Sequence, residues 1–182
     1  MILIGYIPMC KLECFSEKNQ SVEGYQLFHD CMCTLLEPLI DAGQWGVDMP
    51  CADRFIRCVY LILAAYITDY PEQCLIACCW ENACPQCIVP AKKQGDQIHS
   101  VLCDPKETLR TLAEQSHREK PKKFVTQNLQ LINLFWKDLP HCDIFSCMTP
   151  NLLHQLHKGA FKDHIVSWGT QAINGGMAEI DW

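Results

Sequence analysis

The sequence contains no long apolar run and no charged leader at its beginning. Its longest continuous apolar stretch, residues 59–67, is only about half the length of a membrane span. Residues 1–8 carry no positive charge, and their apolar stretch is too short for the apolar region of a signal peptide. We therefore expect an intracellular protein without a membrane span.

Basic residues are also sparse. Lys and Arg number 15 against 21 Asp and Glu, so the formal net charge is −6, and the densest basic run lies at residues 118–123. Domains that bind nucleic acid on their own usually carry a basic stripe, so composition argues against strong DNA binding by this chain alone. Phosphate loops, dinucleotide fingerprints, serine-hydrolase elbows and zinc-protease helices are absent from the sequence, which excludes the enzyme classes built on them.

Cysteine, by contrast, is abundant, with 14 residues in a chain of 182. Such a density in a small secreted protein indicates a disulfide framework, but nothing in this sequence indicates secretion. We interpret most of these cysteines as reduced, buried, small apolar side chains. A pair with the spacing of metal ligands is the exception to consider.

Two apolar stretches predict strands. Residues 1–8 end at a proline and are typical of a short buried strand. Residues 59–67 are continuously apolar and fit a buried central strand, although a buried helix would give the same pattern over so few residues.

Three segments predict helices. In residues 25–42, apolar side chains recur every three or four positions, with Pro38 inside the segment. Asp104 is a suitable N-cap for a helix that continues to about residue 118. Thr149 is a suitable N-cap for a helix that reaches residues 168–172.

The motif Cys84-Pro85-Gln86-Cys87 has the spacing of half a zinc site. A two-residue gap allows both thiolates to face one tetrahedral ion, and the proline tightens the turn. The same pair could also be a redox pair with one low-pKa thiol, but the helix that follows such motifs in thioredoxin-like proteins is missing from the pattern.

His154 and His157 stand three residues apart in the last predicted helix, and His164 follows on a similar face. Histidines at this spacing on an α-helix can reach one ion. Together with Cys84 and Cys87 they would supply the four ligands of a structural zinc site. The alternative is that they are ordinary residues of a polar helix face.

Asp69 directly follows the predicted strand at residues 59–67. Enzymes that transfer phosphoryl groups with two metal ions hold magnesium with carboxylates, and the end of a buried strand is a suitable position for one. The alternative interpretation is a turn residue that caps the bend at residues 69–71.

Three stretches of the chain resemble the Plavaka transposases of mushroom-forming fungi, which belong to the KDZ group of cut-and-paste elements. They are residues 4–15, residues 60–87 with the motif AAYITDYPEQC, and residues 136–164 with the motifs WKDLPH and LHQLHKGAFKDH. The similarity covers essentially the whole chain up to about residue 175.

The resemblance implies an RNase H-like α/β (α+β) fold, in which an acidic triad binds two divalent ions. Residues 1–80 would form a partial core of strand, helix and strand, with Asp69 as the second acidic residue of the triad. Residues 81–182 would form a mostly helical insertion truncated at its C-terminus. The family's CPxC and HQLHKG elements match Cys84, Cys87, His154 and His157, which implies a structural zinc site.

The chain also departs from the family pattern. The family has glycine, proline and aspartate where this chain has Arg54, Leu61 and Asn151, and candidates for the first and last triad carboxylates are not found. We therefore expect a transposase fragment that is inactive alone. The parent would cleave and transfer DNA in the nucleus with magnesium, without a small-molecule substrate. The alternative is a non-catalytic, zinc-stabilised interaction module inside the cell.

Overall fold

The computed structural model describes residues 3–8, 10–116 and 122–173. About half of the chain is helical and the strands form two small sheets, so the fold class is mixed α and β. Within these residues, the helices are all too short or too polar to cross a bilayer.

The helices differ widely in length. In chain order they are α1 (Glu17–Trp45), α2 (Tyr70–Ile76), α3 (Pro105–Ser116), α4 (Lys122–Thr126), α5 (Ile144–Cys147), a π-helix (Leu153–Val166) and α6 (Ser167–Ala172). Short 3₁₀ turns occupy Ala91–Lys93 and Phe135–Asp138.

The four strands of the described residues pair two by two. Strand β1 (Val47–Pro50) runs antiparallel to β2 (Ile56–Val59), with Val47 opposite Val59. Strand β3 (Tyr66–Thr68) runs parallel to β4 (Met148–Pro150), with Tyr66 opposite Met148. The second sheet therefore joins parts of the chain that are far apart in sequence.

Helix α1 forms because its apolar positions recur with helical spacing, as the sequence indicates for residues 25–42. It is longer than that prediction at both ends and includes Pro38. The helix ends at Gly46, whose positive φ of 76° is open to glycine without strain. A side chain at this position would also collide with the Sγ of Cys58.

The hydrophobic core lies where one face of α1 meets the segments around α2 and α5. It contains Met32 and Leu36 of α1 and a run of buried residues from 74 to 79. Trp136 is buried in this core and donates a hydrogen bond from Nε1 to the backbone oxygen of Ile76 at 2.9 Å. A buried indole is satisfied by such a bond, so this contact orients the ring as well as burying it.

His29 of α1 is fully buried and joins two segments of the core. Its Nε2 lies 3.0 Å from the backbone oxygen of Leu75, and its Nδ1 lies 3.3 Å from the backbone nitrogen of Phe135. These partners require a neutral ring that donates at Nε2 and accepts at Nδ1. Burial lowers the pKa of His29, although the Leu75 carbonyl and the charge of Asp30 act in the opposite direction.

The strand predictions were wrong over most of their length. Residues 3–8 form no strand and are exposed, and Met1 and Ile2 lie outside the described residues. Within residues 59–67, only the two ends belong to strands, because residues 60–65 have no regular structure and most of their side chains are exposed. An apolar run was therefore a poor guide to burial here.

One helix start was predicted correctly and the other was not. The Oδ1 of Asp104 accepts the N–H of Glu107 at 2.7 Å and caps α3, as expected. Thr149 instead belongs to β4, and the side chain of Asn151 accepts the N–H of Leu153 at 2.8 Å at the start of the last helical segment. The aspartate that the family pattern has at 151 would suit the same role.

The RNase H-like arrangement stays a prediction. Each described sheet has only two strands, and the strand expected at residues 1–8 does not contribute to them. The division into residues 1–80 and 81–182 also stays a prediction, and the pairing of β3 with β4 crosses it.

Candidate metal centres

Asp69 lies between β3 and α2 and acts as the N-cap of α2. Its Oδ1 accepts a hydrogen bond from the backbone N–H of Glu72 at 3.1 Å, and Pro71 follows within the first turn. One oxygen of the Asp69 carboxylate therefore has the capping role that the sequence offered as the alternative to metal binding. The other oxygen, Oδ2, makes no hydrogen bond to the described residues, and the side chain is half-buried.

Glu72 is the second carboxylate beside Asp69. It accepts hydrogen bonds from the hydroxyl of Tyr66 at 2.8 Å and from the hydroxyl of Thr68. Burial, and then the charge and hydrogen bond of Glu72, raise the pKa of Tyr66 and keep its hydroxyl protonated. The Glu72 carboxylate is thus held in place by two donors.

Two carboxylates are too few for a pair of magnesium ions, which require several acidic ligands. Within residues 3–8, 10–116 and 122–173, no group of three or more His, Cys, Asp or Glu side chains is arranged to hold a metal ion. The residues around Asp69 therefore do not fit a complete two-metal site on their own.

The turn at Cys84 and Cys87 places backbone N–H groups close enough to both sulfur atoms to affect their acidity. The N–H groups of Gln86 and Cys87 act to lower the pKa of Cys84. The N–H of Val89 and the side chains of Cys84 and Ser100 act to lower the pKa of Cys87. Donors at these positions stabilise negative charge on sulfur, which is the form that binds metal.

The two thiols of this turn differ in acidity. Burial raises the pKa of Cys84 despite the two backbone donors. Burial also acts to raise the pKa of Cys87, but the bonds from Val89, Cys84 and Ser100 outweigh it and the pKa falls below its usual value. Both a metal site and a redox pair use a thiolate. Thioredoxin-like redox pairs are followed directly by an α-helix. Among the described residues, the next α-helix after Cys87 begins only at Pro105, which does not favour the redox pair.

His154 and His157 lie on the exposed π-helix. A π-helix has more residues per turn than an α-helix, so residues three apart diverge around its axis more than the sequence spacing predicts. His164, the third histidine of this segment, has its ring centroid 5.3 Å from that of Trp168. The structure brings Cys84 and Cys87 together but does not gather the two histidines with them into one group.

Two cysteines that the sequence interpretation did not select lie close to the Cys84 turn. Cys79 and Cys103 line the same small cavity as Cys84 and Cys87. For Cys103 a signal was present, since 15 residues separate it from Cys87 and this gap occurs in four-cysteine zinc sites. Cys79 has no comparable spacing signal.

Comparison with known proteins gives one family. The model of the family described as Plavaka transposase matches residues 1–169. Neither a curated protein nor a solved structure matches the chain.

Proposed function

The chain belongs to the Plavaka transposase family, and from this premise we propose that it supplies part of an enzyme that cleaves and joins DNA with divalent metal ions. The observation that carries the proposal is the extent of the family match, which reaches over residues 1–169. The partner of the complete enzyme is DNA, and a functional enzyme acts in the nucleus.

Within this enzyme, Asp69 contributes one metal-binding carboxylate. Its position at the junction of β3 and α2 supports the role, because the helix cap occupies Oδ1 and leaves Oδ2 without a partner among the described residues. Magnesium prefers oxygen ligands of this kind. Glu72 is the carboxylate that the described residues place next to it in the first turn of α2, and its oxygens are already held by Tyr66 and Thr68.

The chain alone is proposed to be inactive. A two-metal mechanism needs several acidic ligands around the reacting phosphate, and Asp69 alone does not supply them. The net charge of −6 also opposes DNA binding, because affinity for the phosphate backbone comes mainly from Lys and Arg. Other segments of the complete enzyme therefore provide the remaining carboxylates and most of the basic surface.

A plasmid-nicking assay tests both parts of this proposal. The present chain, incubated with supercoiled DNA and Mg²⁺ or Mn²⁺, should leave the plasmid intact. A longer transposase that contains this chain should nick it, and Asp69→Asn should lower that rate by about 100-fold or more, since losing even an outer-sphere partner costs 10–100-fold. Asp53→Asn is the matched control, because Asp53 is an exposed carboxylate paired with Arg57.

Two results would overturn these statements separately. Nicking by the present chain that disappears in Asp69→Asn would show that it is active alone. Undiminished nicking by the longer enzyme with Asp69→Asn would remove Asp69 from the metal site.

The second candidate is a non-catalytic, zinc-stabilised interaction module. It is supported by the shared turn of Cys84 and Cys87, where neighbouring N–H groups act to lower the pKa of both thiols, and by the exposed apolar side chains of the last helical segment. The ligand set that the family pattern implies adds His154 and His157 to these cysteines. This candidate predicts that removing zinc with a chelator lowers the melting temperature of the chain. It also predicts that Asp69→Asn has no effect on transposition.

A further inference from the structure

The cavity beside Cys84 has the size and the lining of a site for one ion. Its volume is about 20 Å³, which admits a single water or ion but excludes an organic cofactor. Four thiols line it, those of Cys79, Cys84, Cys87 and Cys103. Four sulfur ligands around one ion are typical of structural zinc.

The backbone fixes three of these cysteines next to each other. The N–H of Cys103 donates to the oxygen of Gln86 at 2.9 Å, and the N–H of Ile88 donates to the oxygen of Val101 at 3.0 Å. Cys87 and Leu102 form an antiparallel bridge between these bonds. The segment that carries Cys103 is therefore held against the turn that carries Cys84 and Cys87.

The fourth thiol, Cys79, lines the cavity and also interacts with Cys74, and this interaction and burial raise its pKa. Among the described residues, no three of these thiols are already placed to hold one ion. Zinc binding by this set therefore requires side-chain rotation at more than one of the four cysteines.

We propose that Cys79, Cys84, Cys87 and Cys103 bind one structural zinc ion as four thiolates, without His154 or His157. Each thiol that binds releases its proton to solvent, so zinc binding strengthens as pH rises. The partial exposure of Cys84 and Cys87 provides a path by which the ion enters. The bound ion would cross-link the segments that carry Cys79, the Cys84 turn and Cys103, next to α2.

This ligand set has Cys79 and Cys103 where the family-based set has His154 and His157. The histidines stand on an exposed helix, whereas Cys103 is joined to the Cys84 turn by backbone hydrogen bonds. The two sets share Cys84 and Cys87, so only variants of the other residues separate them. The zinc site can be tested independently of the proposed DNA cleavage, because metal content is measured without DNA.

Zinc content and a cobalt spectrum of the whole chain test the site. The unaltered chain, refolded with ZnCl₂ and dialysed, should hold one zinc per chain by elemental analysis. With Co²⁺ in place of zinc, the sulfur-to-metal absorption should have the intensity of four thiolates. Cys103→Ser should lose the ion, whereas the His154→Ala/His157→Ala double variant should keep it.

Cys142→Ser is the matched control, because Cys142 is a partly buried cysteine that bonds to Cys147 and lies outside the cavity. It should retain full zinc content. A cobalt spectrum with two thiolates, together with loss of zinc in the histidine variant, would overturn the proposal in favour of the mixed site. Absence of stoichiometric zinc from the unaltered chain would overturn both. The cobalt spectrum needs no substitution, so it decides even if Cys103→Ser does not fold.

Discussion

Helix α1 and the helical segment that follows β4 carry similar apolar patterns but have opposite surroundings. α1 buries Met32 and Leu36 against the 3₁₀ turn Phe135–Asp138. The π-helix and α6 bury no residue, and their large apolar side chains are exposed: Leu153, Leu156, Phe161, Ile165 and Trp168.

The comparison shows that an apolar face does not by itself place a helix in the core. α1 is fixed by packing and by specific polar bonds such as those of His29. The last segment buries no residue of its π-helix or of α6, so its helical hydrogen bonds and local polar contacts, such as the ion pair of Lys158 with Asp163, hold it together. Stability should therefore respond strongly to substitutions in the first region and weakly in the second.

The two tryptophans give the largest expected difference. Trp136 is 2% exposed and Trp168 is 63% exposed. Trp136→Ala should lower the free energy of unfolding by about 3–5 kcal/mol, because it leaves a cavity and removes the partner of the Ile76 oxygen. Trp168→Ala should change it by less than about 0.5 kcal/mol. Urea unfolding followed by circular dichroism measures both changes. Equal losses of stability in the two variants would contradict the difference in burial between the two regions.

His29 gives the next largest effect and adds a dependence on pH. His29→Gln should cost on the order of 2 kcal/mol at neutral pH, because it disturbs the bonds to Leu75 and Phe135. The pKa of the buried ring is lowered, so the unfolded chain takes up the proton first as pH falls. The stabilising contribution is complete above the ordinary pKa of about 6.5 and is lost as pH falls from there toward the folded-state pKa.

The measurement is the free energy of unfolding as a function of pH, and the matched control is His164→Gln on the exposed segment. The slope below pH about 6.5 should become shallower in His29→Gln and stay unchanged in His164→Gln. An unchanged slope in His29→Gln would contradict the neutral, buried ring.

Asp69 gives the smallest effect and separates its two roles. Asp69→Ala should lower the stability by about 1 kcal/mol through loss of the α2 cap, whereas Asp69→Asn should leave it nearly unchanged because asparagine caps equally well. Thermal unfolding compares the two variants. If Asp69→Asn is as unstable as Asp69→Ala, the negative charge matters to the fold, and the asparagine variant cannot isolate a metal-binding role.

The helices were predictable where the sequence carried either an apolar period or a cap with a following proline. Residues 25–42 have the period, and Asp104 with Pro105 has the cap and the proline that begin α3. Thr149 misled the interpretation because threonine suits both a cap and a strand, and its pairing with Ile67 comes from a distant part of the chain. Such tertiary pairing is invisible to a local pattern.

The site was predictable only in part for the same reason. The CPxC turn is a local motif, and its two thiols lie together as expected. Whether His157 or Cys103 completes the ligand set depends on which segment packs beside the turn, and sequence spacing alone does not determine this. The strand predicted at residues 59–67 failed because its apolar side chains are largely exposed.

The parallel pairing of β3 with β4 also has a consequence for how the chain is made. Leu63, next to β3, bonds to Cys147, next to β4, across 84 residues. At ribosomal rates of about 5–20 residues per second, β3 leaves the exit tunnel roughly 4–16 seconds before its partner. During that interval its hydrogen-bonding edge is open to other nascent chains. A holding chaperone is therefore most useful to this protein before residues 148–150 have left the exit tunnel.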